Sequence, residues 1–199
     1  MLNGDNNYEI ITVATHNEGM LNELLDNSFN QNVKVLGFGQ KWRGFKMKYE
    51  LIYEYIKNKR DDDIIIFIDG FDSIINGKTD DAVKIFKKNN YKMLFSKNNP
   101  ISFLDRKIFN ECIGDIIANS GMWMGYVKYS KILLKELIKD KCNDDQRVLN
   151  NHCKSFDFIQ IDTNEEIFYN RDRYDKNTNK NYKPIFISYP ATFSINRFY

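Results

Sequence analysis

The chain has 199 residues, with 29 basic and 27 acidic side chains and a formal net charge of +2. That is the size of one domain with a sizeable core. Hydrophobic residues make up 42% and aromatics 15%, against 10 Gly and 3 Pro, which excludes disorder and collagen-like repeats. The balanced charge argues against a nucleic-acid protein, because phosphate binding needs a concentrated basic stripe.

In chain order, Ile10–Ala14 reads as a strand, Leu21–Leu25 as a helix and Val33–Gly37 as a second strand. Lys46–Lys57 has apolar residues at helical spacing (Met47, Leu51, Tyr55), and Ile64–Ile68 is a five-residue apolar run that ends at Asp69. Helix Asp81–Lys88, strand Tyr91–Phe95, helix Leu104–Cys112, strand Met122–Val127 and helices Ser130–Lys139 and Asp144–Cys153 follow. Phe156–Ile161, Ile167–Tyr169 and Pro184–Ser188 read as short final strands, and Asn170–Tyr182 as a polar loop. Alternating strands and helices predict an α/β fold with a mostly parallel sheet covered on both faces. The IIIFI run fits a central strand of it, since such a strand loses its polar alternation.

The three cysteines, Cys112, Cys142 and Cys153, show no C-x-x-C spacing, so they read as ordinary thiols of a reducing compartment. The N-terminus has no basic region typical of a secretory signal, and no apolar run approaches the roughly 18 residues of a membrane span. A soluble intracellular chain is expected, forming one domain over 1–199 with an α/β core at 1–154 and a shortened irregular part at 155–199.

The sharpest local feature is Asp69-Gly70-Phe71-Asp72, directly after the apolar strand. Ligands of open α/β sheets bind beyond the carboxyl ends of the strands. Gly70 allows a tight turn there, and two carboxylates pointing one way suit a hard cation, Mg²⁺ or Mn²⁺, that can bridge a diphosphate. The bland alternative is a solvated turn whose aspartates cap Ser73–Ile75. Asp61-Asp62-Asp63 lies at the opposite sheet edge and reads as a polar loop. Asn143-Asp144-Asp145-Gln146 opens a helix, where acidic residues cap free N–H groups. Asn119-Ser120-Gly121 permits close approach of a ligand, or a bulge. Trp42-Arg43-Gly44 followed by Lys46 offers a stacking face and cationic groups. His16 and His152 have no partner at metal spacing. No dinucleotide, P-loop or hydrolase-elbow motif is present.

Six stretches, taken together and in order, resemble the glycosyltransferase domain of the multifunctional procollagen lysyl hydroxylases and its viral relatives. They are Ile11–Thr15 (ITVAT), Val33–Gly44 (VKVLGFGQKWRG), Phe67–Ile75 (FIDGFDSII), Leu94–Ser96 (LFS), Asn119–Tyr126 (NSGMWMGY) and Asn143–Gln146 (NDDQ). The resemblance implies the GT-A fold, a Rossmann-like, mostly parallel central sheet with helices on both faces, and a retaining transfer from UDP-glucose or UDP-galactose with Mn²⁺ or Mg²⁺. It assigns the metal to Asp69 and Asp72, and the uracil to Trp42 and Phe71. Thr15, Lys46, Gly70 and Ser120 go to the donor site, and Asn119, Asp144 and Asp145 to the transfer site. The acceptor implied is a hydroxyl, with hydroxylysine of a collagen-like protein or its galactosyl derivative as the family's case. A viral setting would place the chain in the cytoplasm of an infected host cell, and a homo-oligomer is a further expected state.

The chain departs from the family at its end. Ser188 stands where the family's third metal ligand, a histidine, is expected, and Ala191-Thr192-Phe193 lacks the lysine that reaches the donor phosphate. A glycine-rich insertion after the WRG stretch is also missing. These departures favour a second reading: a weak or inactive UDP-binding homologue that needs a partner. A more distant reading, a nucleotidyltransferase, lacks a visible glycine-rich phosphate loop.

Overall fold

Every side chain of Ile64–Ile68 is buried, in a computed structural model that describes residues 7–98, 105–171 and 183–190. The described strands, in chain order, are β1 (Tyr8–Val13), β2 (Val33–Leu36), β3 (Ile64–Ile68), β4 (Ser73–Ile75), β5 (Met93–Lys97), β6 (Ala118–Tyr126), β7 (Ile159–Asp162), β8 (Phe168–Asn170) and β9 (Phe186–Ser188). The helices are α1 (Leu21–Leu25), α2 (Lys46–Ile56), α3 (Thr79–Lys88), α4 (Asp105–Ile108), α5 (Val127–Leu137) and α6 (Asp145–His152). Six strands form the main sheet in the order β2-β1-β3-β6-β5-β7, and β4-β9-β8 form a small second sheet. Only β6 runs against its neighbours β3 and β5, so the main sheet is mixed and mostly parallel, as expected.

The two faces of β3 feed two cores. Ile65 and Phe67 meet Tyr49, Ile52 and Ile56 of α2, Leu133 and Leu134 of α5, and Val148 and Leu149 of α6. Ile64, Ile66 and Ile68 meet Leu24 of α1, Ala82 and Phe86 of α3, and Phe168 and Phe186 of the small sheet. Each Val, Leu, Ile or Phe side chain among them contributes about 1.5–3 kcal/mol when fully buried. Trp123 of β6 anchors the first core between Phe67 and Phe95, at ring distances of 5.8 and 6.0 Å.

Several sequence expectations are corrected. Of the expected α2 stripe Met47 is buried, but Leu51 and Tyr55 are only half-buried, while Lys48, Ile52 and Ile56 face inward. Ser73–Ile75 is a strand rather than a capped turn, because it pairs with β9. The helix expected over Leu104–Cys112 covers only Asp105–Ile108 among the described residues, and Cys112 lies in a turn closed by an Ile113–Ile116 bridge. That turn brings Cys112 to Cys153 at the end of α6. The two are disulfide-bonded with Cα atoms 5.4 Å apart, leaving Cys142 as the free thiol. Most of the Asn170–Tyr182 loop and all of Ala191-Thr192-Phe193 lie outside the described residues. No helix among the described residues is long and apolar enough to cross a membrane.

Candidate active site

The carboxyl ends of β1, β2 and β3 share one edge of the sheet, and β6, running the other way, begins there. Pairing of Ile68 with Met122 therefore sets Asn119-Ser120-Gly121 beside Asp69. The β5–β6 register jumps from Phe95–Trp123 to Ser96–Asn119, so the residues between bulge out of that ladder. In this bulge the Asp69 N–H donates to the Gly121 carbonyl at 2.8 Å, and a Cβ at Gly121 would lie 3.1 Å from Asp69 Oδ2. The Asn119 side chain folds back to accept from the Gly121 N–H at 2.7 Å. The sequence motif is thus both a bulge and a close approach.

Asp69 and Asp72 sit at the mouth of β3. Asp72 accepts from the Ser73 hydroxyl at 3.1 Å and from the Ser188 hydroxyl at 3.2 Å, and its carbonyl accepts from the Tyr189 N–H at 2.7 Å. Ser188 arrives because β9 pairs Ser188 with Ser73. Gly70 opens the turn expected after β3, which spans residues 70–72, and does so without a positive φ. A Cβ there would lie 2.8 Å from Thr12 Oγ1, a buried hydroxyl without a hydrogen-bond partner among the described residues. Close packing on β1 is what requires glycine.

Lys48 of α2, which sequence reasoning passed over, enters the site from below. Its Nζ lies 2.6 Å from Asp145 Oδ2 and 3.1 Å from Asp69 Oδ2, with only 6% of its side chain exposed. The signal was its place at the head of the Lys48-Ile52-Ile56 face, an i, i+4, i+8 row. Asp145 is held further by Tyr49, whose hydroxyl donates to the Asp145 carbonyl at 2.7 Å. Asp144 caps α6, accepting from the Arg147 N–H at 2.9 Å. The two adjacent aspartates therefore take different jobs.

Burial raises the Asp69 carboxyl to about 7, with Lys48 pulling it down and the Asp72 and Asp145 charges pushing it up. Asp72 is raised too, mainly by burial, against the hydrogen bond from Ser73. Burial opposes the charge on Lys48, yet the pull of Asp145 and then Asp69 holds its pKa above the ordinary lysine value. Like-charged carboxylates kept out of water are a standing demand for positive charge. Asp69, Asp72 and the Ser188 hydroxyl offer oxygen donors only, which fits a hard cation such as Mg²⁺ or Mn²⁺. Among the described residues, no group of three His, Cys, Asp or Glu side chains is gathered for a metal.

The remaining candidates line the same edge. The Thr15 carbonyl accepts from the Gly39 N–H at 2.8 Å, and its hydroxyl lies 2.9 Å from His16 Nδ1. His16 also pairs with Glu18 at 2.9 Å and lies tilted by 50° against Phe71, with ring centres 5.3 Å apart. Trp42 is 40% exposed and meets Phe45 edge-on at 5.7 Å. Lys46 does not turn toward the carboxylates: its Nζ donates to the Asp140 carbonyl at 2.6 Å. It straps the loop after β2 to the loop before α6. Gly44, at φ +106°, completes that strap, since a Cβ there would lie 2.0 Å from Asn143 Nδ2. At the opposite edge, Asp61 and Asp62 pair with Lys131 and Arg60, as expected of a polar loop.

The family model described as the PLOD GT domain matches residues 4–183. The chain is 31% identical over 155 residues to a multifunctional procollagen lysine hydroxylase and glycosyltransferase of Caenorhabditis elegans, covering 69% of this chain and 21% of that protein. It is 29% identical over 153 residues to procollagen-lysine,2-oxoglutarate 5-dioxygenase 2 of Mus musculus, with the same coverages of 69% and 21%. The human multifunctional procollagen lysine hydroxylase and glycosyltransferase LH3 is 28% identical over 152 residues, again covering 69% and 21%. The chain thus spans about a fifth of the length of the curated relatives it matches. Among solved structures, A197 from STIV aligns with a TM-score of 0.44 and 10% identity, over 63% of this chain and 67% of that one. With the match extending over nearly all of the α/β sheet and its carboxylate edge, this chain belongs to the PLOD glycosyltransferase-domain family.

Proposed function

We propose that the chain is a metal-dependent hexosyltransferase that takes UDP-glucose or UDP-galactose as donor and a hydroxyl group as acceptor. Hydroxylysine of a collagen-like protein, or its galactosyl derivative, is the acceptor class the relatives' names suggest. The observation that carries this reading is the half-buried pair Asp69 and Asp72 at the end of the central strand, with Asp145 facing Asp69 across Lys48. Asp69 and Asp72 hold a divalent cation, Mn²⁺ or Mg²⁺. The cation supplies neutralisation of the charge that gathers on the leaving diphosphate.

The chain's own groups do the rest. The exposed faces of Trp42 and Phe71 stack the uracil, and Thr15, Gly70 and Ser120 border the nucleoside and sugar. Lys46 acts through the strap to Asp140, fixing the loop that carries Trp42. Asn119, Asp144 and Asp145 position the acceptor hydroxyl and the transferred sugar. Transfer then forms a glycosidic bond to the acceptor oxygen, releases UDP, and passes the acceptor proton to base or solvent.

A second reading, UDP binding without turnover, is favoured by Ser188, which places a hydroxyl on Asp72 where the resemblance expects a histidine. Two measurements decide between them. UDP with Mn²⁺ raises the melting temperature, and Asp69→Ala abolishes that rise. Mn²⁺-dependent release of UDP from UDP-glucose or UDP-galactose supports the first reading; a thermal shift without any release supports the second.

A further inference from the structure

Lys48 is the sole buried lysine or arginine among the described residues, and it serves two masters. Its Nζ is 3.3 and 3.1 Å from the two oxygens of Asp69, which ends β3, and 2.6 Å from Asp145 Oδ2, at the start of α6. Asp145 Oδ2 has no hydrogen-bond partner among the described residues, so the Lys48 ion pair is what compensates it. The rings of Phe45 and Phe67 flank the ammonium at 5.6 and 5.9 Å, and only 6% of the Lys48 side chain is exposed. In such a place a charge must be shared between its neighbours, because no solvent can replace a lost partner.

Resting on the reading of this edge as a cation–diphosphate site, we propose that Lys48 is a positioning residue that couples the two halves of the site. It divides its charge between Asp69 and Asp145, so the state of Asp145 sets how far Asp69 is available to a divalent cation. While Asp145 holds the ammonium, Asp69 is released in part toward the cation. When an acceptor hydroxyl engages Asp145, the ammonium swings to Asp69 and loosens the cation. Acceptor engagement and cation–UDP retention then oppose each other, which favours release of UDP with its cation once transfer is done.

The test is a double-mutant cycle read by Mn²⁺ binding without nucleotide or sugar, from the loss of the free-Mn²⁺ signal in electron paramagnetic resonance. Asp145→Asn keeps the side-chain shape and leaves Lys48 to Asp69 alone. It is expected to weaken Mn²⁺ binding about fivefold or more, the lower range of site-to-site coupling. In a Lys48→Met background, Asp145→Asn changes binding less than about twofold. Circular dichroism checks each variant's fold, and Lys48→Gln replaces Lys48→Met if the latter does not fold. An equal loss in both backgrounds overturns the proposal, since Asp145 then acts by bulk charge alone. Unchanged Mn²⁺ affinity in Asp145→Asn overturns it as well. A wild-type chain that binds no Mn²⁺ overturns the cation reading itself, a different result from either.

Discussion

The Ser188 hydroxyl donates to Asp72 Oδ1 at 3.2 Å, joining the last described strand to the carboxylate pair at the end of β3. The resemblance puts a metal-binding histidine at this position, and the β4–β9 pairing of Ser73 with Ser188 sets the residue against Asp72.

Restoring a nitrogen donor is expected to strengthen the site. Ser188→His should raise Mn²⁺ affinity about tenfold, equivalent to about 1.4 kcal/mol. Ser188 is buried, so the larger ring should also cost about 1–3 kcal/mol of fold stability through overpacking. Electron paramagnetic resonance titration reads the first effect and urea unfolding the second. Unchanged affinity in the folded variant shows that Ser188 is not directed at the cation.

Gly44 ties the donor loop to the loop before α6, and any side chain there must push into Asn143. Gly44→Ala is expected to cost about 1–3 kcal/mol, from the positive φ together with the clash. It should also weaken UDP binding, since the displaced loop carries Trp42. Adding Asn143→Ala removes the clash but not the backbone strain, so it should restore part of the loss. Thermal unfolding and UDP titration of the three variants check this.

The main sheet was legible because its strands are short apolar runs; most bounds shift by a residue or two, but β6 begins four residues before the expected Met122 and β7 three residues after the expected Phe156. Phe67–Asp72 announced an edge site by position alone. The inward place of Lys48 was legible from its helix face, but its charge partners Asp69 and Asp145 were not, because they are distant in sequence and close only after folding. Helix capping accounts for one of Asp144 and Asp145 better than for both; which one caps and which becomes the ion-pair partner depends on which one α6 turns inward. The Cys112–Cys153 pairing was hidden for the same reason: neither spacing nor number predicts that a turn before β6 meets the end of α6.

That disulfide closes a 41-residue separation and clamps the end of the helix that presents Asp145. Chain-entropy reasoning gives it about 3–4 kcal/mol. Reduction, or Cys112→Ser with Cys153→Ser, should lower the denaturation midpoint accordingly. Thiol titration of the unfolded chain should find one reactive group before reduction, from Cys142, and three after it. Three thiols before reduction would return the cysteines to the reduced state expected from sequence.

Asp140 supplies the pH test, away from the carboxylate pair. Its carboxylate accepts from the Cys142 N–H at 2.8 Å and faces His152 Nε2 at 2.8 Å. The backbone hydrogen bond first and His152 second hold its pKa below the usual carboxylate value. Because the folded pKa is depressed, the contribution is present above the unfolded value of about 3.9 and lost as pH falls through the folded one. Asp140→Ala should therefore cost about 1 kcal/mol at pH 7, after allowance for solvent screening, and progressively less below about pH 4. The Asp140 carbonyl that receives Lys46 is untouched by the substitution, so the loop keeps its strap and the two effects separate. Urea unfolding of both proteins at several pH values reads the difference directly. A gap that stays constant down to pH 3 would assign the cost to packing instead of charge.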